Sequence, residues 1–245
     1  DDEVFKKFLD QADADGAART MIDDLVARWG VLLATALPWL AVAAALALGD
    51  RARNAATVAV ALAELGVVAA LVPAAVAGRG GAVRLATLPG GVPFALRADA
   101  LGVLFALLVA VLWVLATVYA AGYMAHEERR GRFFAAYAAS VATAVGVSFA
   151  ANLLVLFVFY ELLTLATYPL VVHFGTAEAR AAGRTYLAYT FAGGVAVFGG
   201  TALIYRVAGT VAFTPGGVGL GSADAPAAVA AFALLVVGFG VKTAL

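Results

Sequence analysis

One carboxylate lies in the middle of a long apolar stretch of this chain. Glu161 falls within LFVFYELLTLATYPLVVH, residues 156–173, and no Asp, Glu, Lys or Arg separates it from Arg132 before or from Glu178 after. A charged side chain at the centre of a bilayer costs about 3 kcal/mol or more, so it usually faces protein or water and has a partner. Because a carboxylic acid can take up and release a proton, we predict proton chemistry at Glu161. The alternative is a protonated acid that only stabilises helix packing.

Further polar side chains are candidates for a proton path around this glutamate. Thr164 and Tyr168 follow it at i+3 and i+7, on the same helix face. His173 ends the same segment, where we weigh an entry-point proton carrier against a histidine at the surface. Tyr189, in the next apolar segment, is a weaker candidate, because aromatic residues near a membrane surface are typical of the interfacial belt.

Two other ionisable residues, Glu64 and Lys242, fall inside apolar segments. Gly238 and Gly240 are expected to weaken the helix just before Lys242, as in the discontinuous helices that hold ion sites in transporters. The alternative for Lys242 is a side chain that snorkels to the interface. For Glu64 we weigh, as equals, burial as a protonated acid and pairing with a neighbouring subunit.

The composition indicates a polytopic, all-α membrane protein. Hydrophobic residues make up 64% of the chain and charged residues 13%, against about 45–50% and about 25% in soluble domains. The 16 basic and 16 acidic residues cancel, which argues against a nucleic-acid partner. The absence of Cys excludes thiolate sites, and two distant histidines argue against a histidine metal site. We expect no metal and no bound cofactor.

The apolar segments predict about seven transmembrane helices, since one span needs about 20 apolar residues. The segments are 30–48, 55–77, 99–123, 133–149, 152–173, 185–205 and 227–245. The 28 uncharged residues before Glu161 are too long for a single span, so a tight turn is predicted near 150–152. Ala192, Ala196 and Gly200 recur every four residues and predict a close helix contact.

The segments also suggest an organisation of the chain. Residues 1–29 are predicted to form an amphipathic N-terminal segment. Residues 30–123 hold three leading helices, and alternation on both sides of a Pro-Gly-Gly turn predicts a β-hairpin in loop 78–98. Residues 133–245 form the last predicted unit. The acidic start and the apolar end indicate a fragment of a longer chain.

The distribution of arginine predicts the orientation in a cell (inner) membrane. The loops near 49–54, 124–132 and 174–184 carry seven arginines, against four on the other side when the N-terminal segment is left out. Because short cytoplasmic loops are enriched in Lys and Arg, these three loops are predicted to be cytoplasmic.

Two stretches resemble a known family. NLLVLFVFYELLTLATYPLVVH, residues 152–173, resembles the fifth transmembrane helix of the proton-conducting antiporter-like proteins. These include the large membrane subunits of respiratory complex I, the membrane subunits of related hydrogenases, and the A-type and D-type subunits of Mrp cation/proton antiporters. GFGVKTAL is similar to the start of their seventh helix, and ELLTLATYPLV looks closest to the D-type subunit.

The resemblance implies roles and a fold. Glu161 matches the family's helix-five glutamate and Lys242 its helix-seven lysine, which form an ion pair whose making and breaking accompanies proton transfer. The family fold has two inverted five-helix repeats. This chain holds the three leading helices and most of the first repeat, truncated in its fourth helix, and lacks the C-terminal half. Residues 1–29 depart from the family.

The function implied is that of a proton-translocating subunit of a multisubunit Mrp-like antiporter, exchanging protons for Na⁺. It would be a transporter subunit rather than an enzyme by itself, and its partners would be other membrane subunits and the lipid bilayer. One alternative is a proton-pumping subunit of a redox-driven complex I-like or membrane hydrogenase complex, or of an inorganic-carbon uptake complex. An alternative from another class is a non-transporting membrane scaffold.

Overall fold

The described part of the protein is a bundle of seven helices with one β-hairpin. The computed structural model describes residues 28–214, 216–217 and 225–243. The elements are α1 (Arg28–Ala47), α2 (Asp50–Val76), β1 (Ala82–Thr87), β2 (Pro93–Arg97), α3 (Ala100–Tyr123), α4 (Arg130–Ser148), α5 (Leu153–Val171), α6 (Ala177–Ala208) and α7 (Ala225–Lys242). The all-α polytopic fold is thereby confirmed. The amphipathic segment predicted at 1–29 lies outside the described residues, apart from its last two.

Six of these helices are long and apolar enough to cross a membrane, namely α1, α2, α3 with its short extension to His126, α5, α6 and α7. Helix α4 is less apolar because it begins with Arg130 and Arg132. Nine of its nineteen residues are buried, including Phe134 and Val145. Protein therefore surrounds much of α4, and this helix forms the centre against which α3 and α5 pack.

Two helices begin earlier than hydropathy predicts. Helix α2 starts at Asp50 rather than near 55, and α6 starts at Ala177 rather than near 185. Each carries an acidic residue in its first turn, where the helix dipole favours negative charge. The hydroxyl of Thr176 also accepts a hydrogen bond from the N–H of Ala179. Hydropathy detects only the apolar part of such helices, so it misses these polar first turns.

The hairpin holds one end of the bundle together. Strands β1 and β2 pair in antiparallel fashion within loop 78–98, the segment where alternation predicts a hairpin. Asn152, in the tight turn between α4 and α5, accepts a hydrogen bond from the N–H of Val155 and donates one to the carbonyl of Pro93. It also pairs with Ala212 in the loop after α6. The turn predicted near 150–152 is thus tied to both neighbouring loops.

The opposite end of the bundle is held by charged side chains. Arg130 at the start of α4 lies 2.8 Å from the carboxylate of Asp50 at the start of α2. Arg132 donates a hydrogen bond of 3.1 Å to the carbonyl of Val172, just after α5. These bonds bring the three loops near 49–54, 124–132 and 174–184 to one end. Their cytoplasmic location stays a prediction.

Glycines set the distance between α6 and α7. A Cβ atom added at Gly238 would lie 2.6 Å from the carbonyl oxygen of Gly193, so the two backbones touch. Gly200 also lies against α7, as predicted, but Ala192 is exposed and takes no part. Helix α7 runs through Gly238 and Gly240 without interruption. The discontinuity expected at these glycines is therefore wrong, because they serve close packing instead.

Candidate functional site

An ion pair lies inside the bundle between α5 and α7. Glu161 is eight residues after Leu153 and ten before Val171, so roughly 12 and 15 Å of helix rise separate it from the ends of α5. The Nζ atom of Lys242, in the last turn of α7, donates a hydrogen bond of 3.0 Å to Oε1 of Glu161. The side chains of Lys242 and Glu161 are 11% and 18% exposed, respectively. The pair is therefore mostly shielded and lies near the middle of α5.

The ammonium of Lys242 has further partners on both helices. It donates a hydrogen bond of 2.7 Å to the carbonyl of Tyr160 and lies 3.6 Å from the centroid of the same tyrosine ring. A cation at this position is attracted by the face of the ring. Phe239, one turn earlier on α7, packs edge-on against that ring at 5.4 Å. The C-terminal end of α7 also favours a positive charge.

Gly194 on α6 places the backbone directly against the carboxylate. A Cβ atom at this position would lie 2.5 Å from Oε1 of Glu161, which real side chains do not tolerate. The backbone of α6 therefore limits where the carboxylate can go. Sequence reasoning missed this residue, although the adjacent glycines in FAGG, residues 191–194, were a visible signal.

We expect Gly194→Ala to displace the Glu161 carboxylate from Lys242 and to lower the proton flux that the sequence predicts for this chain. A misplacement of about 1 Å can cost up to roughly 100-fold in rate, so we expect a loss between about 10- and 100-fold. The measurement is proton flux through the assembled complex in vesicles. Gly199→Ala is the matched control, because its added Cβ meets no atom closer than 3.6 Å. Equal flux in the two variants would show that the close approach at Gly194 is dispensable.

The predicted stripe of Thr164 and Tyr168 is only partly assembled at the pair. Thr164 is buried, and its hydroxyl donates to the carbonyl of Tyr160 at 3.4 Å, the same carbonyl that accepts from Lys242. Tyr168 instead packs across Gly183 of α6, where a Cβ would lie 3.0 Å from its ring. Thr164 thus adjoins the pair through a shared acceptor, and the structure does not bring Tyr168 to it.

A pair of hydroxyl groups lies nearer the arginine-rich end. The hydroxyls of Thr167 on α5 and Tyr186 on α6 are 2.7 Å apart. Thr167 follows Glu161 by six residues, or roughly 9 Å of helix rise. Sequence reasoning missed Thr167 because i+6 lies off the face chosen by the i+3 and i+7 spacing.

His173 and Tyr189 differ in their surroundings. His173 is 8% exposed, with the rings of Phe133 and Phe174 at 5.7 and 5.5 Å, so the interpretation as a surface histidine is wrong. Burial and the nearby guanidinium of Arg132 lower the pKa of His173, which keeps the imidazole neutral near pH 7. Tyr189 is 67% exposed on α6, and the structure does not bring it to the pair.

Glu64 lies in a different part of the bundle. It is fully buried on α2, which packs against α3 and α4. A side chain that the chain itself covers does not reach a neighbouring subunit, so that interpretation of Glu64 is wrong. The structure does not bring Glu64 to the pair formed by Glu161 and Lys242.

Sequence families match both halves of the bundle. Residues 150–245, which contain the ion pair, match the family described as NADH:quinone oxidoreductase/Mrp antiporter, TM. Residues 89–134 match the family described as NADH-Ubiquinone oxidoreductase (complex I), chain 5 N-terminus. Together the two matches take in more than half of the chain. The chain belongs to the antiporter-like membrane subunits.

Curated relatives of this antiporter-like chain are components of cation/proton antiporters. The probable A/B subunit of a K(+)/H(+) antiporter from Rhizobium meliloti (strain 1021) is 36% identical over 121 residues, which are 49% of this chain and 12% of the relative. The A1 subunit of a Na(+)/H(+) antiporter from Staphylococcus aureus (strain JH9) is 30% identical over 115 residues, 46% of this chain and 14% of the relative. The matches thus cover a small part of each relative. Both relatives are A-type subunits, so they support the family and not the D-type similarity.

Solved structures share the fold. The Mrp complex from Dietzia sp. DQ12-45-1b aligns with a TM-score of 0.72 and 22% identity, over 86% of this chain and 23% of that chain. The archaeal membrane-bound sulfane sulfur reductase aligns with a TM-score of 0.68 and 19% identity, over 86% of this chain and 44% of that chain. Respiratory complex I from Thermus thermophilus aligns with a TM-score of 0.66 and 18% identity, over 88% of this chain and 44% of that chain. These similarities show the fold of a multi-pass antiporter-like membrane subunit.

Proposed function

We propose that this chain is the proton-translocating subunit of a multisubunit cation/proton antiporter. Glu161 is the carboxylate that exchanges the proton, and Lys242 is the cation that controls its charge. The observation that carries this proposal is the 3.0 Å ion pair near the middle of α5, in a chain that belongs to the antiporter-like family. Relatives named as subunits of K(+)/H(+) and Na(+)/H(+) antiporters support a monovalent cation as the exchanged ion.

The energetics of a shielded pair suit proton exchange. An adjacent cation favours the ionised carboxylate, and the attraction between two charges is stronger in a protein interior than in water. When the cation moves away, an ionised carboxylate in apolar surroundings is costly, and neutralisation by a proton is the cheaper state. Separation of Lys242 from Glu161 therefore captures a proton, and renewed contact releases it.

The partners of Lys242 allow such a movement. Lysine carries its charge on a flexible four-carbon chain with three donors. The ammonium already donates to the Tyr160 carbonyl as well as to Glu161. It can leave the carboxylate while it keeps the carbonyl, so a rotation of one side chain is enough to open the pair. No unfolding of α7 is needed.

The proton path that we propose starts at the arginine-rich end, which we place in the cytoplasm. The hydroxyls of Thr167 and Tyr186 lie between that end and Glu161. Hydroxyl groups both donate and accept hydrogen bonds, so with water they can relay a proton. Thr164, beside Lys242 at the Tyr160 carbonyl, continues the path at the pair itself.

The test is proton flux through the assembled complex in proteoliposomes. A gradient of Na⁺ or K⁺, imposed without any electron donor, is expected to drive proton movement that a pH-sensitive dye inside the vesicles reports. Flux that appears only after an electron donor is added would contradict antiport. It would favour the redox-driven alternative, to which the complex I description of the match at residues 89–134 points. Absence of flux under both conditions would favour a scaffold.

A further inference from the structure

Six buried side-chain polar atoms on α2 and α3 have no hydrogen-bond partner within the described residues: Nε of Arg53 and Oδ1 of Asn54 near the start of α2, and four atoms deeper in the bundle. These four are Oε1 and Oε2 of Glu64, Nε1 of Trp113 and Oγ1 of Thr117. Glu64 and Thr117 are 0% exposed and Trp113 is 1% exposed. Buried polar groups in proteins nearly always bond to protein or to ordered water. Two packed helices that both carry such atoms therefore point to a polar ligand between them.

The depths of Glu64 and Trp113 in the bundle differ by about one helical turn. Helix α2 begins and α3 ends at the same end, where Asp50 bonds to Arg130. Glu64 follows Asp50 by fourteen residues, and Trp113 precedes Tyr123 by ten. These spacings correspond to roughly 21 and 15 Å of helix rise. Side chains tilt toward the N-terminus of their own helix, so on antiparallel helices these two lean toward each other.

The face of α2 that carries Glu64 points to the core. Thr57, Ala61, Glu64 and Val68 are buried at intervals of three or four residues. Ala61 and Val68, which flank Glu64 on this face, belong to the same apolar cluster as Trp113. Glu64 therefore faces the protein interior rather than lipid.

Few charges face Glu64 from the elements that pack around it. Helix α3 has no charged residue, and α1 has none after Arg28. On α2 the nearest cation is Arg53, which is bonded to Asp50 at the end of the helix. On α4 the cations are at its first turn. Without a nearby cation, the neutral carboxylic acid is the form that this interior accommodates.

We propose that Glu64 and Trp113 form a second proton-binding site, whose ligands are a proton on Glu64 and water, and that Thr117 lies on its path to the arginine-rich end. The acid O–H donates to water, and its C=O accepts from the indole N–H or from a water between them. This site lies in the leading helices and is separate from the pair in α5 and α7. A proton can bind at this site whether or not the chain takes part in antiport.

The site has a polar route to the arginine-rich end. Thr57 lies two turns before Glu64 on the buried face of α2, and its hydroxyl donates to the carbonyl of Arg53. Arg53 in turn bonds to Asp50 at the surface. Thr117, six residues before the end of α3, lies between Trp113 and the arginine-rich end. The proton of Glu64 is therefore expected to exchange with solvent from this end.

The test is infrared difference spectroscopy of the resting assembled complex in membranes, in H₂O and in D₂O. We expect a carboxylic acid C=O band that shifts in D₂O, is lost in Glu64→Gln and persists in Glu161→Gln. The surface control Glu127→Gln should leave it unchanged. Trp113→Phe should move the band to higher frequency, because the C=O loses a donor. No ion flux is measured, so failure of the proposed antiport would leave these results intact.

Three results would overturn the proposal. They are a band that survives Glu64→Gln, a band that does not respond to D₂O, and the lack of any carboxylic acid band that Glu64 variants alter. Glu64→Asp covers the case in which Glu64→Gln fails to assemble. It keeps the acid but changes its environment, so the band should remain at a changed frequency. An unchanged band in Glu64→Asp would also overturn the assignment.

Discussion

Glu161→Gln assembles normally and loses proton translocation by roughly 100-fold or more, the scale on which a positioned acid–base group acts. Glutamine has nearly the same size as glutamate, and its amide oxygen still accepts from the ammonium of Lys242. The contact between α5 and α7, held by a 3.0 Å hydrogen bond in the native chain, is therefore kept. What is lost is only the group that takes up and releases a proton. Proton flux in proteoliposomes measures the effect.

The matched control for Glu161→Gln is Glu128→Gln. Glu128 is an exposed acid in the loop between α3 and α4, so its neutralisation changes the net charge equally. Flux in this variant should stay at the native level. Native flux in Glu161→Gln, with assembly shown by co-purification of the partner subunits, would exclude Glu161 as the proton carrier.

Lys242→Met is expected to abolish translocation and to destabilise the complex. Removing one partner of a buried ion pair costs about 3–5 kcal/mol when the other charge stays ionised. Glu161 escapes part of this cost by keeping a proton, and it then no longer releases the proton. The Tyr160 carbonyl also loses its donor from α7. Thermal unfolding of the assembled complex measures stability, and the vesicle assay measures flux.

The double variant Glu161→Gln/Lys242→Met distinguishes the interaction energy of the pair from the separate contributions of the two side chains. Residues in direct contact show interaction energies, whereas independent sites are additive. We therefore expect the double variant to be more stable than Lys242→Met alone and to remain inactive. Strictly additive losses of stability would show that the two side chains are not coupled.

The helices and the position of Glu161 inside one of them could be predicted from the sequence, because both depend on hydropathy along the chain. Residues 133–160 and 162–177 contain no Asp, Glu, Lys or Arg, so Glu161 stands alone as a charged residue in a long apolar stretch. Lys242 could be named as its partner only through the family resemblance, since nothing in the spacing of 81 residues relates α5 to α7. The structure adds the distance between them.

The remaining site residues could not be predicted, because they depend on how each helix is rotated about its axis. Gly194 touches the carboxylate and Gly193 touches α7, although the two are adjacent in the chain. Thr167 meets Tyr186 because of the position of α6, while the i+7 neighbour Tyr168 packs elsewhere. His173 is buried by Phe133, forty residues earlier, a contact that the sequence near His173 does not reveal.

The protonation of Glu161 during transport is the most direct measurement of the proposed switch. Time-resolved infrared spectra of the assembled complex in vesicles, recorded as a cation gradient is imposed, follow the bands that Glu161→Gln removes. Opening of the pair should convert the ionised carboxylate into a carboxylic acid, so the C=O band should rise as the carboxylate band falls. Full transport with no change in either band would contradict proton exchange at the Glu161–Lys242 pair.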